Sequence, residues 1–128
     1  TNPSRYELTG TLSEDEKWSI LSQADAFCLP SADETQGIAP IEAGFFSLPI
    51  LLSDIPALSQ HWQHGQNCLM HPSKQTELLA WNIHALDQDH KLAESLGMGS
   101  RINALRYNKS ILFEQYYHVI QSTQQKGS

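Results

Sequence analysis

A buried strand, a polar loop and a helix follow one another in the sequence LPSADETQGIAPIEA, residues 29–43. The apolar residues that lead into Pro30 do not alternate with polar ones, which is typical of a strand covered on both faces. Glu34 lies in the loop, Gly37 precedes the helix, and Glu42 follows inside the helix. Backbone N–H groups at a helix start attract anions, and glycine lets a phosphate approach the backbone closely. The spacing therefore suits a polyhydroxylated ligand with a phosphate, whose hydroxyls would bind Glu34 and Glu42.

The sequence ahead of this stretch predicts a strand, a capped helix and a second strand. Residues 6–9 form a short strand candidate that ends at Gly10. Ser13 and Glu16 have the spacing of a capping box, which predicts a helix start at this point. The apolar side of that helix comprises Trp18, Leu21 and Ala24. Residues 26–29 then form the apolar strand.

The sequence after Gly37 continues the alternation and then becomes helical. We predict a helix over 38–46, a strand over 49–52, a short helix over 57–62, a turn at 64–67 and a strand over 68–70. Ser73 is the predicted cap of a helix whose apolar side comprises Leu79, Ile83 and Leu86. Two further helices are predicted over 89–96, interrupted by Gly97 and Gly99 before 101–106, and over 109–121 with Phe113, Tyr117 and Ile120 on one face.

This order of elements predicts an α/β fold. Strands and helices that alternate with short connections form right-handed crossovers, and hence a Rossmann-like parallel sheet with helices on both faces. We predict a single domain over residues 1–128, with alternating strands and helices over 1–72 and a helical tail over 73–123. Ligands of such sheets bind beyond the carboxyl ends of the strands. The loops after Leu29 and Leu52 are therefore the predicted binding region.

Composition excludes several classes of function. The 128 residues contain 14 Asp and Glu against 8 Lys and Arg, for a formal charge of −6. This acidic balance argues against nucleic-acid binding, which needs a basic face. No run of about 18 apolar residues would span a membrane, and the first residues do not resemble a signal peptide. Two cysteines, Cys28 and Cys68, are too few for a disulfide scaffold and are expected to be free thiols in a cytoplasmic protein.

Several residue pairs in the sequence resemble a known signature. Pro30-Ser31, Glu34, Gly37-Ile38 and Glu42-Ala43 are similar to the pattern PS…E-x-F-G-x-x-x-x-E-A of retaining glycosyltransferases with the GT-B fold, the group 1 family. Four more segments resemble that family's patterns in the same order: 6–13, 21–29, 48–56 and 65–69. The register holds without gaps from about residue 6 to 72. The resemblance implies the C-terminal, donor-binding domain of such an enzyme.

The resemblance also implies an activity and a set of site residues. It implies a hexosyltransferase that moves a sugar from a UDP-, GDP- or ADP-sugar to an acceptor with retention, without a metal ion or other cofactor. Glu34 would be the catalytic residue and contact the donor sugar. The backbone of Gln36, Gly37, Ile38 and Ala39 would meet the sugar and phosphates, and Glu42 would hold the ribose hydroxyls.

Departures from the family pattern limit this expectation. Gln36 replaces an aromatic residue, Ser47 and Cys68 replace glycines, and Ser59 or Gln60 stands where a glutamate is common. The family's phosphate-binding Arg and Lys, and its N-terminal acceptor domain, would precede residue 6. We therefore expect about two thirds of a donor-binding domain, inactive alone, from a cytoplasmic parent enzyme. Peripheral contact of that parent with the inner face of a membrane stays open.

Two other function classes remain open at this point. A binding or assembly module derived from a glycosyltransferase would bind nucleotide without catalysis. A different α/β enzyme on a flavodoxin-like sheet would need a glycine-rich phosphate loop after its first strand, which residues 10–13 do not provide.

Other reactive side chains are expected to be structural. His61, His64, Cys68 and His71 have no standard metal-site spacing, so the histidines are predicted to lie on the surface or in turns. Cys28 is expected to fill the core, and Ser31 to be a turn residue. The three tryptophans are expected to be core or half-buried: Trp18, Trp62 and Trp81.

Overall fold

A three-stranded parallel sheet with strand order β1-β2-β3 forms the centre of the molecule. The computed structural model describes residues 6–34 and 37–107. The elements in chain order are α1 (Glu14–Gln23), β1 (Phe27–Leu29), α2 (Ile38–Gly44), β2 (Ile50–Asp54), α3 (Pro56–Ser59), β3 (Leu69–Pro72), α4 (Thr76–Gln88) and α5 (His90–Tyr107). The predicted α/β class, the parallel sheet and the helical C-terminal part are confirmed.

The central strand β2 is covered on both faces because its neighbours and the helices enclose it. Phe27 of β1 pairs with Ile50, and Met70 of β3 pairs with Leu52. Ile50 and Leu52 face the larger apolar cluster, to which α1, α2 and Ala104 of α5 contribute. Side chains alternate along a strand, so Leu51 faces the opposite cluster. That second cluster comprises Leu51, Leu69, Leu86 and Leu96.

The predicted capping box fixes the start of α1. The Glu16 N–H donates to Ser13 Oγ at 3.2 Å, and the Ser13 N–H donates to Glu16 Oε1 at 3.0 Å. These two bonds satisfy N–H groups that a helix start otherwise leaves unpaired. Trp18 and Leu21 are buried. The Trp18 ring lies 5.7 Å from the Phe46 ring, which joins α1 to the segment after α2.

The last described helix differs from the prediction because it is continuous through Gly97 and Gly99. Both glycines are places of close approach and not interruptions. A Cβ on Gly97 would overlap the Ser47 carbonyl oxygen, and one on Gly99 would overlap the Gln66 carbonyl oxygen. Gly44 on α2 faces the same helix, with a Cβ there only 2.7 Å from the Ser100 carbonyl oxygen. The missing side chains therefore let α5 lie directly against the backbone.

The first predicted strand is wrong. Residues 6–9 have no strand conformation, and Leu8 is 90% exposed. A short segment becomes a strand only by pairing with a neighbour, and within the described residues β1 pairs with β2 alone. Apolar residue types at positions 6 and 8 were therefore insufficient to place this segment in the sheet.

The predicted burial of Cys28 is also wrong, since this side chain is exposed. It lies on the outer face of edge strand β1, beside an apolar groove of about 570 Å³ between β1 and α4. Ile83 borders the same groove and is 49% exposed, although it was predicted to face the core. Trp81, two residues earlier on α4, is 71% exposed, although it was predicted to be core or half-buried.

Several boundaries differ by a few residues. Helix α4 begins at Thr76 with Gln75 as its N-cap, and no side chain caps it, so Ser73 is not the cap. Ser73 and Lys74 instead form a turn, in which Lys74 adopts a left-handed φ of 70°. The helix predicted over 109–121, with Phe113, Tyr117 and Ile120, lies outside the described residues. None of the helices within the described ranges has both the length and the apolar character of a membrane span.

Replacing Gly97 with alanine distinguishes a packing glycine from a helix-weakening one. Alanine favours a helix over glycine by about 1 kcal/mol, so a merely weakening glycine would give a more stable variant. Overlap with the Ser47 carbonyl oxygen predicts the opposite sign, a loss of about 1–3 kcal/mol in the free energy of unfolding. Urea denaturation measures it, with Ser95→Ala at an exposed position of α5 as the control. A stabilised Gly97→Ala variant would contradict the packing role.

Candidate functional site

The loop after β1 and the helix after β2 meet at Gly37, at the carboxyl edge of the sheet. Gly37 is the N-cap of α2 and has a φ of 64°, in the left-handed region that glycine adopts without strain. A Cβ at this position would lie 3.3 Å from Leu58 Cδ2 and 3.8 Å from the Ala57 carbonyl oxygen on α3. Glycine is thus required here by conformation, and by the tight contact with α3.

Glu34 closes the loop onto the start of α2. The Gly37 N–H donates to Glu34 Oε1 at 3.3 Å, and the residue is half-buried. The loop is also held by Ser31, whose Oγ donates to the Asp33 carbonyl oxygen at 2.6 Å and accepts from the Asp33 N–H at 3.2 Å. Ser31 is therefore a turn residue, as predicted. These contacts place one carboxylate of the predicted pair beside the helix start.

The remaining predicted donor-site residues follow directly in α2. Ile38 is half-buried and Ala39 is exposed at the first turn of the helix. The backbone N–H groups of a first helical turn have no acceptor within the helix. Glu42 lies one turn after Ile38 on the same helix face. Gln36 lies outside the described residues.

Glu42 is buried and paired with a lysine that the sequence reasoning missed. The residue is 7% exposed, and Lys17 Nζ of α1 lies 2.9 Å from Glu42 Oε2. Lys17 Nζ also lies 3.0 Å from Glu14 Oε2. Burial acts to lower the pKa of Lys17, but the hydrogen bonds and charges of Glu42 and Glu14 outweigh it and raise that pKa. The sequence contained a signal for this contact. Lys17 lies four residues before the buried Leu21, so the two residues share one side of α1 and the lysine lies on the side that packs inward.

Two buried polar side chains lie side by side at the carboxyl ends of β2 and β3. Ser53 and His71 are register partners and therefore point to the same face of the sheet. They are 0% and 3% exposed, and within the described chain neither Ser53 Oγ nor His71 Nδ1 has a hydrogen-bond partner. Burial lowers the pKa of His71, so its neutral form is favoured. The prediction that His71 lies at the surface or in a turn is wrong, because it is a strand residue under α4.

The described histidines and cysteines are dispersed. His61 and His64 are exposed, as predicted, and His64 Nδ1 accepts from the Met70 N–H at 2.9 Å. Among residues 6–34 and 37–107, no three His, Cys, Asp or Glu side chains are grouped as a metal site requires. Burial, with a smaller effect of Asp54, raises the pKa of Cys68 to about 12. Its thiol is therefore protonated near neutral pH.

The candidate site is distinct from a polar cavity elsewhere on the molecule. That cavity has a volume of about 460 Å³ and lies between the 59–67 segment and the last turns of α5. Trp62, Asn103 and Arg106 are among its lining residues, whereas Glu34, Glu42 and the start of α2 do not border it. The predicted site is instead the rim formed by the loop after β1 and the first turn of α2.

Comparison with known proteins identifies the family. Residues 2–102 match the sequence profile of the family described as Glycosyl transferases group 1. The chain belongs to this family. As a group 1 glycosyltransferase chain, it has its Glu34–Glu42 segment within the matched region.

Individual relatives agree with this membership. Sulfoquinovosyl transferase SQD2 of Arabidopsis thaliana is 27% identical over 104 residues, which are 79% of this chain and 20% of SQD2. The C-terminal domain of the group 1 glycosyl transferase LpcC of Francisella tularensis has a TM-score of 0.69 at 16% identity, covering 83% of this chain and 53% of that one. Anabaena Alr3699/HepE, solved with UDP-glucose, has a TM-score of 0.67 at 18% identity, covering 80% and 29%.

The two solved structures show that this group 1 glycosyltransferase chain has the fold of a GT-B C-terminal domain. The chain spans about a fifth of the curated relative and about half of the LpcC domain.

The buried imidazole of His71 predicts a pH-dependent stability. A histidine in an unfolded chain has a pKa of about 6.5, and burial lowers the pKa of His71 in the folded chain. The unfolded state then binds the proton more readily. The contribution of the neutral His71 imidazole to the free energy of unfolding is therefore complete above about pH 6.5. It is lost as the pH falls toward the lowered pKa of the folded state.

Urea midpoints measured between pH 7.5 and 5 test this expectation. His71→Asn should lose part of the fall in midpoint below pH 6.5, while His84→Asn, at an exposed position of α4, should retain it. Equal slopes for wild type and His71→Asn would contradict the assignment.

Proposed function

We propose that this chain forms part of the donor site of a retaining glycosyltransferase and binds a nucleotide-sugar. The observation that supports this most directly is the placement of Glu34 and Glu42 around the start of α2, at the carboxyl edge of a parallel sheet. Parallel sheets of this type bind ligands at that edge. Membership of the group 1 family makes a sugar donor the appropriate ligand class.

In this proposal each site residue has one task. Glu34 accepts hydrogen bonds from donor-sugar hydroxyls and orients the sugar for transfer. The backbone of residues 36–39 meets the sugar and the phosphates, since N–H groups of a helix start stabilise negative charge. Glu42 binds the ribose hydroxyls. Charged acceptors make stronger hydrogen bonds than neutral ones, so the two carboxylates contribute most to orientation.

The donor is proposed to be a UDP-, GDP- or ADP-sugar carrying a hexose, and transfer is proposed to need no metal ion or other cofactor. HepE was solved with UDP and with UDP-glucose, which supports a nucleotide-sugar as the ligand class. Residues 1–128 are proposed to be one domain that works with an acceptor-binding domain of a cytoplasmic parent enzyme.

A non-catalytic binding or assembly module is the second candidate. It is favoured by two departures from the family pattern, in which Gln36 replaces an aromatic residue and Ser47 replaces a glycine. Calorimetry of the chain with UDP, GDP and ADP separates the two candidates when combined with a transfer assay of the longer protein. Nucleotide binding with an inactive longer protein would favour the binding module, and no binding by any of the three would favour an assembly role.

Glu34→Gln tests the catalytic assignment. The glutamine retains a carbonyl oxygen for the Gly37 N–H but loses the negative charge, so the loop is preserved while sugar binding weakens. One hydrogen bond to a charged group is worth about 1.5–3 kcal/mol, which predicts a fall in transfer rate of about 10- to 100-fold. The assay uses labelled nucleotide-sugars and the longer protein that contains residues 1–128.

The matched control is Asp33→Ala. Asp33 is the exposed neighbour in the same loop, and Ser31 contacts its backbone only. This variant should transfer sugar at nearly the wild-type rate. An unchanged rate for Glu34→Gln, with a thermal midpoint equal to that of wild type, would reject the assignment of Glu34.

A further inference from the structure

Lys17 crosses from α1 to α2 and lies against the proposed ribose-binding carboxylate. Its Nζ lies 2.9 Å from Glu42 Oε2, and the two residues are 25 positions apart in the chain. The Glu42 side chain is 10% exposed and that of Lys17 is 30% exposed. Lys17 Nζ also lies 5.0 Å from the centre of the Trp18 ring. The ammonium group is therefore held by two carboxylates and one aromatic ring.

Stability alone gives a poor account of this pair. The buried Glu42 carboxylate loses hydration, and a buried ion pair is often no more stabilising than apolar residues of similar size in its place. Lys17 is one helical turn before the buried Leu21, on the side of α1 where an apolar residue would pack. An ion pair at this place is better explained by its effect on the orientation of the Glu42 carboxylate.

The contact leaves one oxygen of Glu42 for another donor. Lys17 binds Oε2, and within the described residues no group donates a hydrogen bond to Oε1. A carboxylate with one oxygen fixed has fewer accessible rotamers, so its second oxygen is directed before a ligand arrives. Preorganisation of this kind raises affinity by lowering the ordering cost of binding.

We propose that Lys17 is a positioning residue, which holds Glu42 through Oε2 so that Oε1 accepts a hydrogen bond from the hydroxyls of the donor ribose. This rests on the proposed function, in which Glu42 binds the ribose. Without Lys17, Glu42 is a buried carboxylate without its cation, so it turns toward solvent. This reorientation weakens its bond to a hydroxyl group.

The test compares ribose-containing and ribose-modified nucleotides on the chain of residues 1–128. The probes are UDP, GDP and ADP and their 2′,3′-dideoxy analogues, and calorimetry measures the dissociation constants. Wild type should prefer the ribose form. Lys17→Met should lose about 10-fold in affinity for the ribose form and less than about 2-fold for the dideoxy form, the size of one weakened charge-assisted hydrogen bond.

Four further variants make the result specific. Lys17→Arg should recover most of the preference for ribose, because the positive charge remains. Glu42→Gln should lose the preference, and adding Lys17→Met to it should cause no further loss. Lys91→Met, at an exposed position of α5, is the control and should bind as wild type does. If Lys17→Met does not fold, Lys17→Gln provides the same comparison.

Each contrary result has a distinct meaning. If Lys17→Met keeps the full preference for ribose while Glu42→Gln loses it, the positioning role is wrong and the donor-site proposal stands. If wild type binds both forms of a nucleotide equally, Glu42 does not bind ribose, and the role of Lys17 falls with it. If no nucleotide binds to wild type, both proposals are overturned.

Discussion

The burial of β2 between two parallel neighbours is the constraint on which the rest of this structure depends. Residues Ile50 to Ser53 are at most 2% exposed. Buried backbone groups must be paired, so β2 requires a strand on each side, and its apolar side chains require helices on both faces. Parallel pairing then brings the carboxyl ends of β1, β2 and β3 to one edge. The loop with Glu34 and helix α3 meet at that edge for this reason.

The position of helix α5 depends on glycines, whose lack of a side chain lets the helix lie directly against neighbouring backbone. It crosses α2 at Gly44, where Ser100 Oγ also donates to the Leu48 carbonyl oxygen at 2.6 Å. Gly97 lies against the Ser47 backbone. Such close packing against α5 holds α2 in a fixed position. The first turn of α2, which has the proposed donor-binding residues, is therefore attached to a rigid support.

Three of the five buried polar side chains among the described residues lie in α2 or at the carboxyl ends of β2 and β3. Glu42 is buried with Lys17, and Ser53 and His71 are buried at the ends of adjacent strands. Buried polar groups lower stability unless they are paired, and they are commonly retained where a ligand or a reaction needs them. The arrangement agrees with a sheet edge whose composition is set by binding as well as by folding.

Local patterns in the sequence were sufficient for the parallel sheet, for the capping box of α1 and for the strand–loop–helix unit around Glu34. Each of these depends on neighbouring residues, through apolar runs or through a cap that contacts the next turn. Only the tertiary structure decided the rest. The packing role of Gly97, the exposure of Cys28 and Leu8, and the pairing of Lys17 with Glu42 all depend on residues distant in the chain. Local periodicity contains no information about those partners, because burial and charge pairing are set by what lies opposite in space.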